Sequence, residues 1–374
     1  MIPLFERYQL LAHKLPYVSL GELPTPVQKL DQLGRQLGID SLFIKRDDLS
    51  GKVYGGNKIR KLEFVLADAL RTGAKEVLTF GSAGSNHAMA TAIYARQLGL
   101  KSISMLVPQP NAHYVRRNLL MSYHCGAELH LYSNLRFITP FAAPAVFYQL
   151  LRHGLKSGQL PRVIPMGGSS PLGAVGYVNA AFELKGQILR GEIPEPDYIY
   201  IASGSMGTAA GLILGLRVLN SKARVVAVRV NSDSLVNAKG MVNLINKTNS
   251  MLSSLDPSFP RLEFSEHNMD IRHKFSGKQY ALFTKEGMEA VALMERYGGI
   301  KLEGTYTGKA FAALIDDGGK SSLRDKVILF WNTYNSLDFS EVIVTIDYHQ
   351  LPRCFHCYFE EEVQPLEREQ SNNL

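Results

Sequence analysis

The stretch that says most about the fold covers residues 54–64 and reads Tyr54-Gly55-Gly56-Asn57-Lys58-Ile59-Arg60-Lys61-Leu62-Glu63-Phe64. Its two glycines allow backbone conformations that are closed to other residues, and they allow the backbone to come close to a ligand. Apolar residues then recur at spacings of three and four, which predicts a helix over residues 58–71. Lys58 therefore lies at the start of a predicted helix, directly after a permissive turn.

Lys58 is a candidate Schiff-base lysine. Three other cations, Lys52, Arg60 and Lys61, lie close to it in sequence. A lysine near other cations or in a dry site has a lowered pKa, and its neutral amine can attack a carbonyl. A solvated basic helix start explains this stretch equally well, so both explanations stay open here. A P-loop fits less well, because Asn57 stands where that motif needs Lys.

The length and composition indicate a globular protein of about two domains. The chain has 374 residues, of which 45% are hydrophobic and 20% are charged, and this suffices for a sizeable core. The net charge of +7 comes from 41 basic and 34 acidic residues. The basic residues are scattered rather than clustered, so we expect no nucleic-acid partner.

Three features of the sequence point to a cytoplasmic location. No apolar run is long enough to cross a bilayer, so we expect no membrane partner. The first residues lack a basic region followed by an apolar core, and they predict no signal peptide. Three cysteines, an odd number in a large chain, favour a reducing compartment.

Strands and helices alternate along most of the chain, which predicts parallel sheets that are covered on both faces. A helix is predicted over residues 28–37, and residues 166–173 form the most turn-rich stretch and a candidate domain crossing. The polar end, residues 360–374, is expected to fray. The predicted strands cover residues 41–46, 76–80, 102–107, 128–132, 163–165, 198–202, 224–230 and 327–331.

Two loops resemble each other in design, since each follows an apolar strand and opens a predicted helix. Such a loop directs backbone N–H groups and the positive end of the helix dipole at an anion. Residues 203–208 add three hydroxyls and suit a phosphate. Residues 85–87 add a hydroxyl, an amide and an imidazole, which suit a carboxylate and a proton transfer. For either loop alone, a plain tight turn remains open. Neither shows G-x-G-x-x-G, which disfavours a dinucleotide.

Together the lysine and the two loops match one cofactor chemistry. A lysine that can form an imine, a phosphate cradle and a carboxylate cradle are what pyridoxal phosphate and an amino-acid substrate require. The protein would then orient the bond to be broken and tune the electronics of the cofactor ring.

Four motifs in this chain occur in the order seen in the 1-aminocyclopropane-1-carboxylate deaminase/D-cysteine desulfhydrase family. The chain resembles that family over residues 20–331, in the motifs Gly55-Gly56-Asn57-Lys58-x-Arg60-Lys61-Leu62-Glu63, Gly84-Ser85-Asn86-His87, Ser203-Gly204-Ser205-x-Gly207-Thr208 and Tyr306-Thr307-Gly308-Lys309-Ala310.

The resemblance implies an α/β fold of the tryptophan-synthase-β-like class (fold type II pyridoxal phosphate enzymes). It implies two open three-layer αβα domains with the cofactor in the cleft between them. The large cofactor-binding domain would comprise residues 1–52 and 169–374, and the small domain residues 53–168. Homodimers are common among such relatives.

The resemblance also implies the role of each site residue. Lys58 would carry the cofactor and transfer protons, Asn57 would contact the ring 3-hydroxyl, and Lys61 would place charge near the phosphate. Ser85, Asn86 and His87 would hold the substrate carboxylate. The residues expected to be catalytic are Lys58, Ser85, Tyr306 and Tyr280, although Tyr280 could equally be a core aromatic. The other expected cofactor contacts are Ser203, Gly204, Ser205, Met206, Gly207, Thr208, Thr307 and Thr333.

The residue after Tyr306 discriminates between two reactions. In the deaminase branch of the family, the tyrosine that matches Tyr306 is followed by a glutamate. This chain has Thr307 at that position, which resembles the desulfhydrase branch. Thr333 resembles the same branch. A hydroxyl beside the ring nitrogen does not force its protonation as a carboxylate would. We therefore expect a lyase that eliminates sulfide from D-cysteine.

Two alternatives remain. One is deamination of 1-aminocyclopropane-1-carboxylate, a hydrolase activity. The other is a non-catalytic binding protein on the same fold. The loop Asn332-Thr333-Tyr334-Asn335 departs from the His-Thr-Gly-Gly that is usual in the family, and Met206 replaces a glycine.

The segment Cys354-Phe355-His356-Cys357 raises the question of a metal site. A closed zinc site needs four ligands, usually from two separated pairs. Only Cys125 remains as a third cysteine, so we expect no metal and instead a packed aromatic segment that includes Phe355, Tyr358 and Phe359.

Overall fold

Two open sheets form the frame of this protein in the computed structural model, which describes residues 1–133, 144–319 and 323–371. Each sheet belongs to a separate compact unit. The first unit comprises residues 1–15, 21–64 and 169–336, and the second comprises residues 16–20, 65–168 and 337–374.

The first unit contains a six-stranded sheet. Every neighbouring pair of strands is parallel except the outermost pair at one edge, which is antiparallel. Its strands, in order across the sheet, are β1 (Val27–Lys29), β2 (Ser41–Lys45), β10 (Val327–Trp331), β7 (Tyr198–Ser203), β8 (Arg224–Arg229) and β9 (Asp270–Arg272).

Helices pack on this sheet to form a three-layer unit. One apolar core joins the sheet to three helices and includes Leu33, Met294, Phe311 and Phe330. Those helices are α3 (Asp31–Leu37), α11 (Lys285–Gly298) and α12 (Thr307–Gly318). A second group packs together, and its central member also contacts β7 and β8: α8 (Pro171–Leu189), α9 (Gly207–Val218) and α10 (Ala238–Leu255). Two short helices, α1 (Pro3–Arg7) and α2 (Gln9–Lys14), open the chain.

The second unit contains a four-stranded parallel sheet. Its order is β5 (Glu128–Leu131), β4 (Lys101–Val107), β3 (Glu76–Ser82) and β6 (Arg162–Ile164). Helix α5 (Asn86–Gln97) packs on β3 and β4 and against α6 (His113–His124). Helix α7 (Pro144–Ser157) contributes Val146 to a core with Leu78 and Met105. Helix α4 (Lys58–Arg71) runs from the first unit into the second.

The eight predicted strands are confirmed, each to within two residues at either end. Two short strands were missed. Residues 28 and 29 were assigned to the predicted helix, but with Val27 they form β1, an edge strand whose backbone pairs with β2. The other is β9, at the opposite edge. Three-residue edge strands carry too little periodicity to be detected from sequence.

The expectation that residues 360–374 fray is wrong where the structure describes them. The last segment contains α13 (Ser340–Ile343), α14 (Cys357–Glu360) and α15 (Pro365–Ser371). Its aromatic residues pack as predicted, since Phe355 and Tyr358 are buried and the rings of Phe359 and Tyr348 stack at 4.7 Å. Apolar anchors at irregular spacing hold the segment.

The compact units divide the chain differently from the predicted domain ranges. Residues 53–64 group with the first unit, and residues 337–374 group with the second. In residues 1–133, 144–319 and 323–371, no helix has the length and apolar character needed to cross a membrane. The same residues contain no cluster of three His, Cys, Asp or Glu side chains that could hold a metal ion.

Candidate active site

Lys58 begins helix α4 and lies half-buried in the first unit. Its Nζ donates a hydrogen bond to Asn57 Oδ1 at 2.6 Å. Burial lowers the pKa of the Lys58 amine from an ordinary 10.5 to about 8, and the nearby charge of Glu303 opposes this shift. A substantial fraction of the amine is therefore neutral near physiological pH, as a nucleophilic lysine requires.

The backbone before Lys58 is held by the loop that follows the last strand. Gly56 has φ +91°, and a Cβ there would lie 2.8 Å from the carbonyl oxygen of Tyr334. Asn57 N donates to the carbonyl oxygen of Thr333 at 3.2 Å, and Gly55 N donates to Asn335 Oδ1 at 2.7 Å. The unusual loop at residues 332–335 thus supports the lysine turn directly.

Residues 204–206 join strand β7 to helix α9, and a helix start that follows a strand in this way can bind an anion. Strand β7 ends at Ser203 and α9 begins at Gly207, so the backbone N–H groups at the start of that helix have no partners within it. Met206 has φ +65° in the left-handed region, and its methyl end lies against Gly240 of α10.

Asn57 and Lys61 connect this loop to the lysine helix. Asn57 Nδ2 donates to Thr208 Oγ1 at 3.0 Å. Lys61 is buried, and its Nζ donates to Ser169 Oγ at 3.3 Å. Burial, with a smaller effect of the Lys58 charge, holds the pKa of Lys61 well below its ordinary value. An anion beside Lys61 would relieve that cost, because opposite charges favour the protonated amine.

Ser169 is a functional candidate that sequence reasoning missed. Its Oγ accepts from Gly207 N at 3.2 Å and lies 2.9 Å from Ser205 Oγ. A Cβ at Gly207 would lie only 2.5 Å from Ser169 Oγ and 3.1 Å from Lys61 Nζ. The sequence marked residues 166–173 only as a turn-rich crossing, and nothing in it showed that Ser169 meets this loop.

Tyr306 and Tyr280 lie together in the first unit. Their hydroxyls are hydrogen-bonded, and their ring centroids are 6.2 Å apart at an interplanar angle of 71°. A Cβ at Gly204 would lie 3.0 Å from the Tyr306 ring. The structure therefore brings the two tyrosines to the edge of the Ser203–Thr208 loop.

Glu303 is a second residue that sequence reasoning missed. Its carboxylate accepts backbone N–H groups from Thr305, Tyr306 and Thr307, each at 2.8 Å. Thr307 Oγ1 accepts from Glu303 N at 3.0 Å, and its own proton can go to Glu303 Oε1 at 3.3 Å. Burial raises the pKa of Glu303 in spite of these donors. Glu303 thus fixes the start of α12, where Tyr306 and Thr307 lie; its only sequence signal was an acidic residue just before a helix.

The Ser85-Asn86-His87 loop lies in the second unit. Ser85 caps helix α5, because its Oγ accepts from Ala88 N at 3.2 Å. A Cβ at Gly81 would lie 2.5 Å from Ser85 Oγ, so only glycine allows this close return of the chain. Asn86 Oδ1 accepts from Asn118 Nδ2 at 2.8 Å.

His87 is turned toward the sheet of the second unit. Its Nε2 lies 2.9 Å from Thr79 Oγ1, which donates its own proton to the carbonyl oxygen of Ile164. His87 Nε2 is therefore the donor of this pair. The imidazole is buried, so its orientation is set by the strand rather than by solvent.

The fold and these residues define a class of protein. The chain matches the pyridoxal-phosphate dependent enzyme family over residues 18–333, and it belongs to that family. It is thus a pyridoxal phosphate enzyme of fold type II, as predicted.

Three relatives place the chain within this class. It is 37% identical over 322 residues to a Pyrococcus horikoshii protein provisionally named 1-aminocyclopropane-1-carboxylate deaminase. That alignment covers 86% of this chain and 92% of the relative. It is 34% identical over 325 residues to the D-cysteine desulfhydrase of Serratia proteamaculans, in an alignment that covers 86% of this chain and 94% of the relative. The crystal structure of a 1-aminocyclopropane-1-carboxylate deaminase homologue aligns with a TM-score of 0.74 at 34% identity and covers 90% and 98%.

The residues of the first unit fit pyridoxal phosphate. Ser203 Oγ is buried and has no hydrogen-bond partner among the described residues, and the same is true of Asn332 Nδ2. Buried polar atoms are normally paired, so the orphaned Ser203 Oγ, at the end of the strand that leads to α9, indicates a polar ligand at this helix start. The low pKa of Lys58 suits attack on an aldehyde, and the charge of Lys61 suits a phosphate.

Proposed function

We propose that this protein eliminates the β-substituent of a small D-amino acid, with D-cysteine as the best candidate. The observation that carries this proposal is Thr307. Position 307 carries a hydroxyl where the deaminase branch has a carboxylate, and this hydroxyl is hydrogen-bonded to Glu303. The relative from Serratia proteamaculans named D-cysteine desulfhydrase supports the same choice.

The chain's own residues would divide the work. Bound pyridoxal phosphate supplies an electron sink that acidifies the α-hydrogen of an amino acid. Lys58 would hold the cofactor aldehyde and then accept the α-proton, for which a pKa of about 8 is suitable. Asn57 would bind the cofactor ring, and Ser203–Thr208 with Lys61 would bind its phosphate. Ser85, Asn86 and His87 would hold the substrate carboxylate, His87 through its backbone N–H because its imidazole is turned toward the sheet.

Two tyrosines and two threonines complete the proposed site. Tyr306 and Tyr280 share a hydrogen bond, so one hydroxyl can pass a proton to the other at the edge of the phosphate loop. Thr307 and Thr333 are proposed to flank the cofactor ring.

The proposed reaction balances. The α C–H bond and the Cβ–S bond of D-cysteine break, and sulfur leaves as sulfide with one proton. The remaining enamine takes up water and yields pyruvate and ammonia. The second candidate reaction, opening of 1-aminocyclopropane-1-carboxylate, is favoured by the names of the Pyrococcus relative and of the solved homologue.

The visible absorption spectrum of the purified protein tests this proposal. Lys58→Ala should lose the absorption band of the bound cofactor, whereas Lys52→Ala, at an 80% exposed position, should keep it. Adding D-cysteine should shift the band and release pyruvate. Release of 2-oxobutanoate from 1-aminocyclopropane-1-carboxylate, with no pyruvate from D-cysteine, would select the second reaction. A band that ignores every amino acid would favour the non-catalytic binding protein.

We further propose a cytoplasmic homodimer. The three cysteines Cys125, Cys354 and Cys357 are free, which suits a reducing compartment. Homodimers are common among proteins that this chain resembles. Sedimentation equilibrium at micromolar concentration should give twice the chain mass of 41.5 kDa, and a monomer mass would exclude the dimer.

A further inference from the structure

Within the second unit, the last segment of the chain packs on residues that support the Ser85-Asn86-His87 loop. This segment lies beyond residue 333, where the family match ends. We call residues 348–364 the clamp segment. Its buried anchors are Leu351, Phe355, Tyr358 and Val363.

The clamp segment is held by side chains at the start of α6 and just before it. Asn111 Nδ2 donates to the carbonyl oxygens of Tyr358 and Glu361, at 3.0 and 2.9 Å. Arg116 Nε also donates to the Tyr358 carbonyl, at 2.7 Å, and its Nη2 donates to that of Glu361 at 2.7 Å. Two side chains thus satisfy the carbonyls at the end of α14, and a guanidinium makes the stronger of such bonds.

The Tyr358 hydroxyl reaches the backbone of Gln109. It accepts from Gln109 N at 3.1 Å, and its proton is directed at the carbonyl oxygen of the same residue at 3.4 Å. Both residues are buried, so the pair is shielded from water. One hydroxyl therefore fixes the position of one residue in the β4–α6 connection.

Gln109 in turn holds Gly84, the residue directly before the Ser85-Asn86-His87 loop. Its Oε1 accepts from Gly84 N at 2.9 Å, and its Nε2 donates to Tyr114 Oη at 2.6 Å. A Cβ at Gly84 would lie 3.0 Å from Gln109 Nε2, so the two residues are in close contact. Asn118 holds the same turn from its other side, because its Nδ2 donates to the Gly84 carbonyl at 2.9 Å.

We propose that Tyr358 is a positioning residue for the substrate carboxylate, acting through Gln109 on the Gly84–His87 turn. This inference rests on the proposed role of Ser85, Asn86 and His87. The backbone of this turn must hold a fixed conformation to direct its N–H groups at a carboxylate. The clamp segment supplies that fixation from a part of the chain outside the family match.

Tyr358→Phe removes the hydroxyl and keeps the packed ring. The KM for D-cysteine should rise about threefold to tenfold, the range expected for one buried hydrogen bond. The kcat and the cofactor absorption band should stay within about twofold, because Lys58 and its neighbours are untouched. Tyr348→Phe, in the same segment, is the matched control, since its ring stacks on Phe359 and has no part in holding Gln109.

Hydrogen exchange of the holoenzyme without substrate gives a readout that does not depend on turnover. The amides of residues 84–88 should exchange faster in Tyr358→Phe than in Tyr348→Phe. A double-mutant cycle with Gln109→Met should be non-additive, because both changes break the same chain of contacts. If Tyr358→Phe leaves both KM and loop exchange at the values of Tyr348→Phe, the inference is overturned.

A separate variant shows whether the inference fails by itself or because the proposed carboxylate site at residues 85–87 is wrong. Ser85→Ala should raise KM more than Tyr358→Phe does, because Ser85 belongs to the loop itself. If Ser85→Ala leaves KM unchanged while Tyr358→Phe loosens the loop, the loop does not bind the carboxylate. The positioning role of Tyr358 is then overturned together with the proposed substrate site.

Discussion

At the scale of single residues, three lysines of the first unit have unusual proton affinities. Lys58, Lys61 and Lys309 all have pKa values below the ordinary value, in each case mainly because of burial. Glu303 opposes the shift at Lys58 and at Lys309. The same carboxylate orients the turn that bears Tyr306, so one residue that the sequence analysis missed affects both Lys58 and Tyr306.

The pKa of Lys58 makes a kinetic prediction. With a pKa of about 8, about one tenth of the amine is neutral at pH 7, against well under one in a thousand for an ordinary lysine. The rate of cofactor uptake by the cofactor-free protein should therefore rise with pH and level off above about pH 8. Stopped-flow absorbance between pH 6 and 10 measures this rate. The reaction of the free cofactor with Nα-acetyl-lysine, whose side-chain amine has an ordinary pKa, is measured in parallel for comparison. A rate that still climbs steeply at pH 10 contradicts the lowered pKa.

At the scale of elements, the start of α4 is anchored by a buried ionic network. Arg60 donates to Asp47 at 2.7 and 3.0 Å and to Glu183 at 2.9 Å. Lys45 Nζ lies 2.6 Å from Glu183, and Trp331 Nε1 donates to Asp47 Oδ2 at 2.7 Å. These contacts tie the lysine helix to β2, α8 and β10, so the direction in which Lys58 points is set by the core.

Arg60→Met should be strongly destabilising. It leaves two buried carboxylates with less compensation, and breaking such a pair costs about 3–5 kcal/mol of unfolding free energy. Arg71→Met, on the same helix but 63% exposed in its ion pair with Asp68, should cost at most about 1 kcal/mol. Urea unfolding followed by circular dichroism compares the two. Equal midpoints for both variants would show that the buried network adds little.

At the scale of the whole molecule, the same network predicts how stability depends on pH. Burial alone would raise the pKa of Glu183, but the charges of Arg60 and Lys45 lower it from 4.5 to about 2. The unfolded chain binds this proton near pH 4.5. The stabilisation is therefore complete above about pH 4.5 and is lost as the pH falls toward 2.

The full loss, reached below about pH 2, should amount to about 3 kcal/mol for this one carboxylate, and about 2 kcal/mol of it should fall between pH 6 and pH 3. Urea unfolding from pH 6 down to pH 3 should show stability falling over this interval, and Glu183→Gln should flatten the dependence. Glu295→Gln, at an exposed position of α11, should leave the slope of the original protein. A slope in Glu183→Gln equal to that of the original protein would show that Glu183 is not the titrating group.

Local patterns in the sequence were enough to predict the regular strands and helices of the fold. The strands of both sheets and helix α4 follow from apolar periodicity, because burial of one helix face or of a whole strand leaves a regular trace. The family, its cofactor class and the positions of the lysine and the two loops also follow from short motifs. In such motifs, neighbours in sequence are neighbours in the site.

Only the tertiary structure decided the contacts between residues that are far apart in sequence. Ser169 meets Gly207, Glu303 receives the turn at residues 305–307, and Tyr358 reaches Gln109 across 249 positions. None of these pairs leaves a periodic trace, because each depends on how the elements pack. The last segment is also held in a folded conformation by contacts with residues that are distant in sequence. Its scattered anchors have no pattern until a folded surface brings Asn111 and Arg116 to meet them.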